Sequence, residues 1–193
     1  MSTGTAPTPA TFIFHGGGPC FFMDWDPIDA WDELRAALED IIPSLPTPPR
    51  AIVVITAHWE TPEVAITAQT APGLVYDYGG FPPHTYQLTY PAPGSPALAE
   101  RIGGLLADAG IAHRYETQRG WDHGVFIPLK VMRPEADIPV VAMSVLSSFD
   151  PAAHLEIGRA LAPLRDEGVL IIGSGLSFHN LRQFGPAGKL ASG

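Results

Sequence analysis

Apolar residues in this chain gather in short unbroken runs. TFIF (11–14), AIVVITA (51–57), IPVVAMSVL (138–146) and GVLIIGSG (168–175) are the strongest. Runs without alternation suit strands covered on both faces. EVAITA (63–68) and AHRYE (112–116) mix polar and apolar positions and read as more exposed strands. Three intervening segments carry helix starts. DPIDAWDELRAALEDI opens at Asp26-Pro27. SPALAERIGGLLADAG opens at Ser95-Pro96 and stops at Gly110. DPAAHLEIGRALAPLRDEG opens at Asp150-Pro151 and stops at Gly168. A capping side chain, proline at the first helical position and glycine past the end form a helix signature. Pro163 should kink or shorten the third helix. Strands alternating with helices predict an α/β fold: a three-layer α/β/α sandwich around a mostly parallel mixed sheet, in one domain over residues 1–193.

Composition narrows the function. The 193 residues are 46% hydrophobic and 16% charged, which is globular rather than disordered. Net charge is −9 and the 11 Lys and Arg are scattered, so nucleic acid is not an expected partner. The single cysteine, Cys20, excludes an internal disulfide and fits a cytoplasmic home. MSTGTAPTPA lacks the basic and apolar regions of a signal peptide, and no apolar run approaches the length needed to span a membrane. Twenty-one prolines and 20 glycines point to loops held in set shapes. The longest, residues 71–96, is rich in Tyr, Pro and Gly, and long structured loops tend to be functional.

The histidines are placed suggestively. His15 follows TFIF, His58 follows AIVVITA, and His179 follows VLIIGSGLSF. Ligands of open α/β sheets bind at the carboxyl ends of strands, so the three imidazoles can converge there on a metal. His123 follows Asp122 in a Gly-bounded loop and suits acid–base work. A lone histidine past a strand is more often a solvated loop residue, but three in one topological position point to a site. His113 and His154 read as structural, and His84 sits in the Tyr/Pro loop. HGGGP (15–19) lacks the residues of a nucleotide-binding motif and reads as a tight turn that frees His15. GSGLS (173–177) does not match a nucleophile elbow.

HGGGP, AIVVITAHWE, YDYGGFP, YPAPGSP, GWDHGVFIPL, IPVVAMSV, LRDEGVLIIGSG and FHNL follow one another in this order. Together they resemble the class III extradiol ring-cleavage dioxygenases, in particular the 4,5-DOPA extradiol branch. The resemblance implies a non-haem Fe(II) enzyme, with Zn(II) as the other metal, that opens a catechol ring with O2. It implies metal ligation by His15 and His58, with His179 as a further ligand or the catalytic base. It implies that His123 contacts the substrate and handles protons. The aromatic loop, with Tyr76, Tyr78 and Phe81, is expected to wall the ring in, and Asp122 to face the substrate. Family members carry His-Gly-Ser-Pro where this chain has His15-Gly16-Gly17-Gly18-Pro19, and they continue past GPAGKLASG with a segment bearing a third ligand. The expectation is a chain shortened at its C-terminus that self-associates through exposed core. Two other functions fit the same scaffold: a non-catalytic Memo-like binding module and a zinc-dependent hydrolase.

Overall fold

The computed structural model describes residues 6–177. Six strands form one sheet: β1 (Ala10–Phe14), β2 (Ala51–Thr61), β3 (Val64–Thr67), β4 (His113–Glu116), β5 (Val140–Leu146) and β6 (Val169–Gly175). Their order is β1-β6-β2-β5-β3-β4. The first four in that order run parallel, while β3 is antiparallel to β5 and parallel to β4. Four helices cover it: α1 (Asp32–Ile41), α2 (Pro96–Asp108), α3 (His123–Met132) and α4 (Pro151–Leu161). Leu38 of α1 and the α3 side chains pack on one face; Ile102 and Leu106 of α2 and Ile157 and Leu161 of α4 pack on the other. The expected three-layer sandwich around a mostly parallel mixed sheet is therefore present. Among the described residues, no helix is long and apolar enough to cross a membrane.

The central strands behave as continuous apolar runs should. Ile52 and Val54 of β2 face α1 and α3, while Val53 faces α2 and α4, and all three are at most 1% exposed. Helices α2 and α4 start where their caps predicted. Ser95 accepts the Leu98 N–H and Asp150 accepts the Ala152 N–H, each ahead of a proline. Pro163 ends α4 as expected: a 3-10 turn over Ala162–Arg165 follows Leu161.

Several expectations need correction. The first helix begins at Asp32, six positions after Asp26, and no side chain caps its start. TFIF lies in the edge strand β1, where Phe12 is 64% exposed. EVAITA, expected to be exposed, holds β3, whose four residues are all buried because β4 lies outside it and α2 packs over it. The sequence suggests a loop around His123 in GWDHGVFIPLK, but the segment contains α3. Nine of the ten residues of α3 are buried. A helix buried on every side has no polar stripe to announce it.

Candidate metal centre

Three neighbouring strands change character at the same level of the sheet. On the α1/α3 face, Val54 lies beside Ala142 and Ile172; one pleat further on, Thr56 lies beside Ser144 and Ser174. A row of buried hydroxyls thus replaces the apolar row at the carboxyl end of the strands, and each one has a partner. Ser144 accepts the Ala65 N–H at 2.9 Å and lies 2.5 Å from the Thr61 hydroxyl. Thr56 donates to Asp122 Oδ1 (2.7 Å) and accepts the His58 N–H (3.2 Å). Ser174 donates to the Gly124 carbonyl (2.5 Å) and meets His15 Nδ1 at 2.9 Å.

Two of these hydroxyls, Thr56 and Ser174, hold histidines. His15 leaves the end of β1 and is 1% exposed. His58 was expected beyond the end of its strand, but β2 continues to Thr61. The register with β5 breaks between Thr56 and Glu60, so His58 sits on a bulge. Bulges re-aim side chains and favour functional sites. His123 is the first residue of α3, after Asp122 at the N-cap. Helix α3 approaches the bulge so closely that a Cβ on Gly124 would fall 2.7 Å from Thr56 Oγ1 and 3.1 Å from the His58 ring. Any larger residue there would push the helix away.

One potential ligand atom from each of His15, His58 and His123 falls within a 4.8 Å cluster. His15 Nε2 and His58 Nε2 are 3.1 Å apart. The hydrogen-bond partners assign the tautomers. A hydroxyl has one hydrogen, and Ser174 directs its own to Gly124; His15 Nδ1 must then be the donor, which leaves Nε2 with the lone pair. His123 Nδ1 lies 2.8 Å from Asp77 Oδ1, an acceptor only, so it too carries a hydrogen. His58 Nδ1 lies 3.6 Å from Asp77 Oδ2. His15 Nε2 and His123 Nε2 turn lone pairs inward, and His58 Nε2 donates to His15 Nε2, a hydrogen that a bound metal would displace. Three such imidazoles, with Nδ1 edges turned toward hydroxyl or carboxylate, fit iron or zinc.

The surroundings are charged and aromatic. Burial pulls the Asp77 carboxyl upward, but the hydrogen bonds and charge of His123, with the charge of His58 behind them, hold it below the ordinary carboxylate range. Asp122, expected at the substrate, is 1% exposed and turned into the protein. Its second oxygen takes a hydrogen bond from Arg119, which also donates to the His58 carbonyl (3.3 Å each) and lies over the Trp59 ring. Tyr78 and Phe81 stand together, with Tyr78 5.8 Å from the His123 ring between centroids. Gly18, at φ +55°, lets Phe81 close over the HGGGP turn; a Cβ there would be 2.8 Å from its ring. Burial, with Tyr76, Tyr86 and Asp77 nearby, pushes the Tyr78 phenol up to about 12, and its hydroxyl donates to the Thr85 carbonyl.

The structure therefore brings together His15, His58 and His123, with Tyr78 and Phe81 beside them. His179 lies outside the described residues. His113 and His154 are structural: His113 meets the Ile111 carbonyl, and His154 links the Asp150 carbonyl to the Leu146 N–H. His84 meets the Phe22 carbonyl. Asp77, Thr56, Ser174 and Arg119 were missed. The available signals were the aspartate between two tyrosines in YDYGGFP and the hydroxyls that interrupt two apolar runs.

Residues 25–191 match the family described as the catalytic LigB subunit of aromatic ring-opening dioxygenase. The chain is 47% identical to Dioxygenase tasH of Hapsidospora irregularis, over 94% of its own length and 57% of that protein's. It is 52% identical to a 4,5-DOPA dioxygenase extradiol of Beta vulgaris, over 68% of this chain and 49% of the relative. For the Escherichia coli K12 protein of the same name the identity is 43%, over 90% and 61%. A crystal structure of an uncharacterised protein from Escherichia coli K12 aligns with a TM-score of 0.66 at 41% identity, covering 81% of this chain and 58% of that one. The chain thus spans between about half and three-fifths of the length of these curated relatives.

Proposed function

Because the chain belongs to the family of the catalytic LigB subunit of aromatic ring-opening dioxygenase, we propose that it houses the centre of a metal-dependent extradiol dioxygenase that opens a catechol ring with O2. The observation that supports this most is the convergence of His15, His58 and His123 at the carboxyl end of the sheet. The proposed metal is Fe(II), held by His15 and His58 with His179 as the third ligand. Zn(II) suits the same imidazoles, and metal analysis separates the two. Bound there, the metal supplies Lewis-acid and one-electron chemistry to the diol and to O2.

The remaining work falls to the chain. His123 takes a proton from the second catechol hydroxyl through Nε2 and returns one as the ring opens; general acid–base help of this kind is worth about 10² to 10⁴ in rate. Tyr78 and Phe81 wall the ring and exclude water. Asp122 supports the bulge through Thr56 and Arg119 rather than meeting substrate. Relatives named 4,5-DOPA dioxygenases support a catechol bearing an amino-acid side chain as the substrate. The wired proton-handling histidine favours an enzyme over a binding module, which has no use for one.

The test is anaerobic Fe(II) binding by the purified protein, followed by O2 uptake with DOPA and plain catechol. Stoichiometric iron that is lost in His15→Ala/His58→Ala, together with ring opening, is the expected result. A folded, iron-loaded protein that consumes no O2 with any catechol would refute the dioxygenase reading and leave the binding module. His123→Ala should keep iron and lose turnover; loss of iron instead would make His123 a ligand.

A further inference from the structure

One carboxylate meets two of the three imidazoles. Asp77 Oδ1 accepts from both the backbone N–H (2.9 Å) and Nδ1–H (2.8 Å) of His123, while Oδ2 lies 3.6 Å from His58 Nδ1. The backbone contact satisfies one of the N–H groups that the first turn of α3 leaves unpaired, and it sets a negative charge at the positive end of that helix. The carboxylate is itself held on both sides. Its neighbours Tyr76 and Tyr78 donate their hydroxyls to the Leu88 and Thr85 carbonyls at 2.6 Å each, and both rings pack against Phe126 of α3. The side chain is 21% exposed, so its aim is set by the protein.

We propose that Asp77 is a positioning residue that holds His123 as the Nδ1–H tautomer, making Nε2 the nitrogen that exchanges a proton with substrate, and that orients His58 beside it. The inference rests on the dioxygenase reading for its catalytic half. The two distances divide the work unequally. A 2.8 Å contact is a hydrogen bond that selects a tautomer; 3.6 Å is too long for one and acts only through charge. Removing Asp77 should therefore damage proton handling far more than metal retention.

The experiment compares wild type with Asp77→Ala and the near-isosteric Asp77→Asn, the second guarding against misfolding. Long-range ¹H–¹⁵N spectra of the metal-free protein at pH 8 report each imidazole tautomer. His123 is expected as Nδ1–H in wild type and as a mixture rich in Nε2–H in Asp77→Ala. His15, held by Ser174, should not change and serves as the internal control. In the iron-loaded protein, kcat for catechol opening should fall at least about 10²-fold. KM should stay within about threefold, the pattern of an interaction made in the transition state. Fe(II) affinity should fall by about tenfold at most. Wild-type His123 found as Nε2–H would overturn the proposal, as would an Asp77→Ala spectrum with His123 unchanged; Asp77 would then be only a loop anchor and helix cap. Wild type that opens no catechol would defeat the dioxygenase reading while the tautomer result still stood or fell independently.

Discussion

The two faces of the sheet are built from different residues. The α2/α4 face is largely aliphatic: among the described residues its buried cluster is built of Val53, Ile66, Ile102, Leu106, Met143 and their aliphatic neighbours, with Tyr115 only at its β4 edge against Gly103. The α1/α3 face contains Phe21, Trp59, Trp121 and Phe126, and its carboxyl end carries the hydroxyl row and the histidines. The aliphatic face needs only shape and apolar area, which branched side chains supply without polar atoms to satisfy. The other must hold buried polar groups at set distances, and each needs a partner or costs free energy. Aromatic rings add rigid walls around those groups. One face serves stability and the other serves the site, although both hang on the same strands.

If this division holds, the faces respond differently to mutation. The largest contrast is His15→Ala/His58→Ala, which should abolish metal binding while costing the metal-free protein only about 1–3 kcal/mol for the lost buried hydrogen bonds. Leu106→Ala, on the aliphatic face and 0% exposed, should cost about 2–5 kcal/mol in denaturant unfolding. Its metal stoichiometry at low temperature should stay intact; joint loss of metal and stability would mean the faces are not separable. Thr56→Val keeps the volume but strips Asp122 Oδ1 and the His58 N–H of their partner. It should cost about 1–3 kcal/mol and also weaken metal binding, an effect Leu106→Ala should lack.

The smallest effect belongs to Cys20. Burial pushes its thiol up to about 12 from 9.0, with backbone N–H groups and Arg35 opposing only in part. The folded protein keeps the proton that the unfolded chain releases. The contribution of the thiol is thus fully present below pH 9 and declines as pH rises from 9 toward 12. Native Cys20 should resist alkylation at pH 8 and react promptly in denaturant; fast native labelling would show that the turn beneath HGGGP opens.

Much of the fold can be read locally. The runs in β2, β5 and β6 are long enough to demand cover on both sides, and Ser95-Pro96 and Asp150-Pro151 announce two helices through their own backbone chemistry. Helix α3 escapes because Gly124 and Pro128 look like breakers and its apolar residues have no period; it is stable only because the sheet and α1 enclose it. The start of α1 escapes because Asp26-Pro27 has the local form of a cap but the chain turns again before Asp32. Of the site, the histidines stood out as polar residues beside apolar runs. Asp77 did not, since nothing near it in the chain tells which groups it will meet 46 positions away.

Residue order alone carries the layer type, the helix starts and the presence of metal-capable imidazoles, because each depends on interactions within a few positions. Tertiary structure decides which of those imidazoles meet. The order β1-β6-β2 sets His15 beside Ser174, 159 positions apart, and the break in β2 pairing turns His58 toward both His15 and His123. Strand neighbours are chosen by packing the whole sheet against its helices, so the geometry that assigns each nitrogen its proton exists only once that packing is complete.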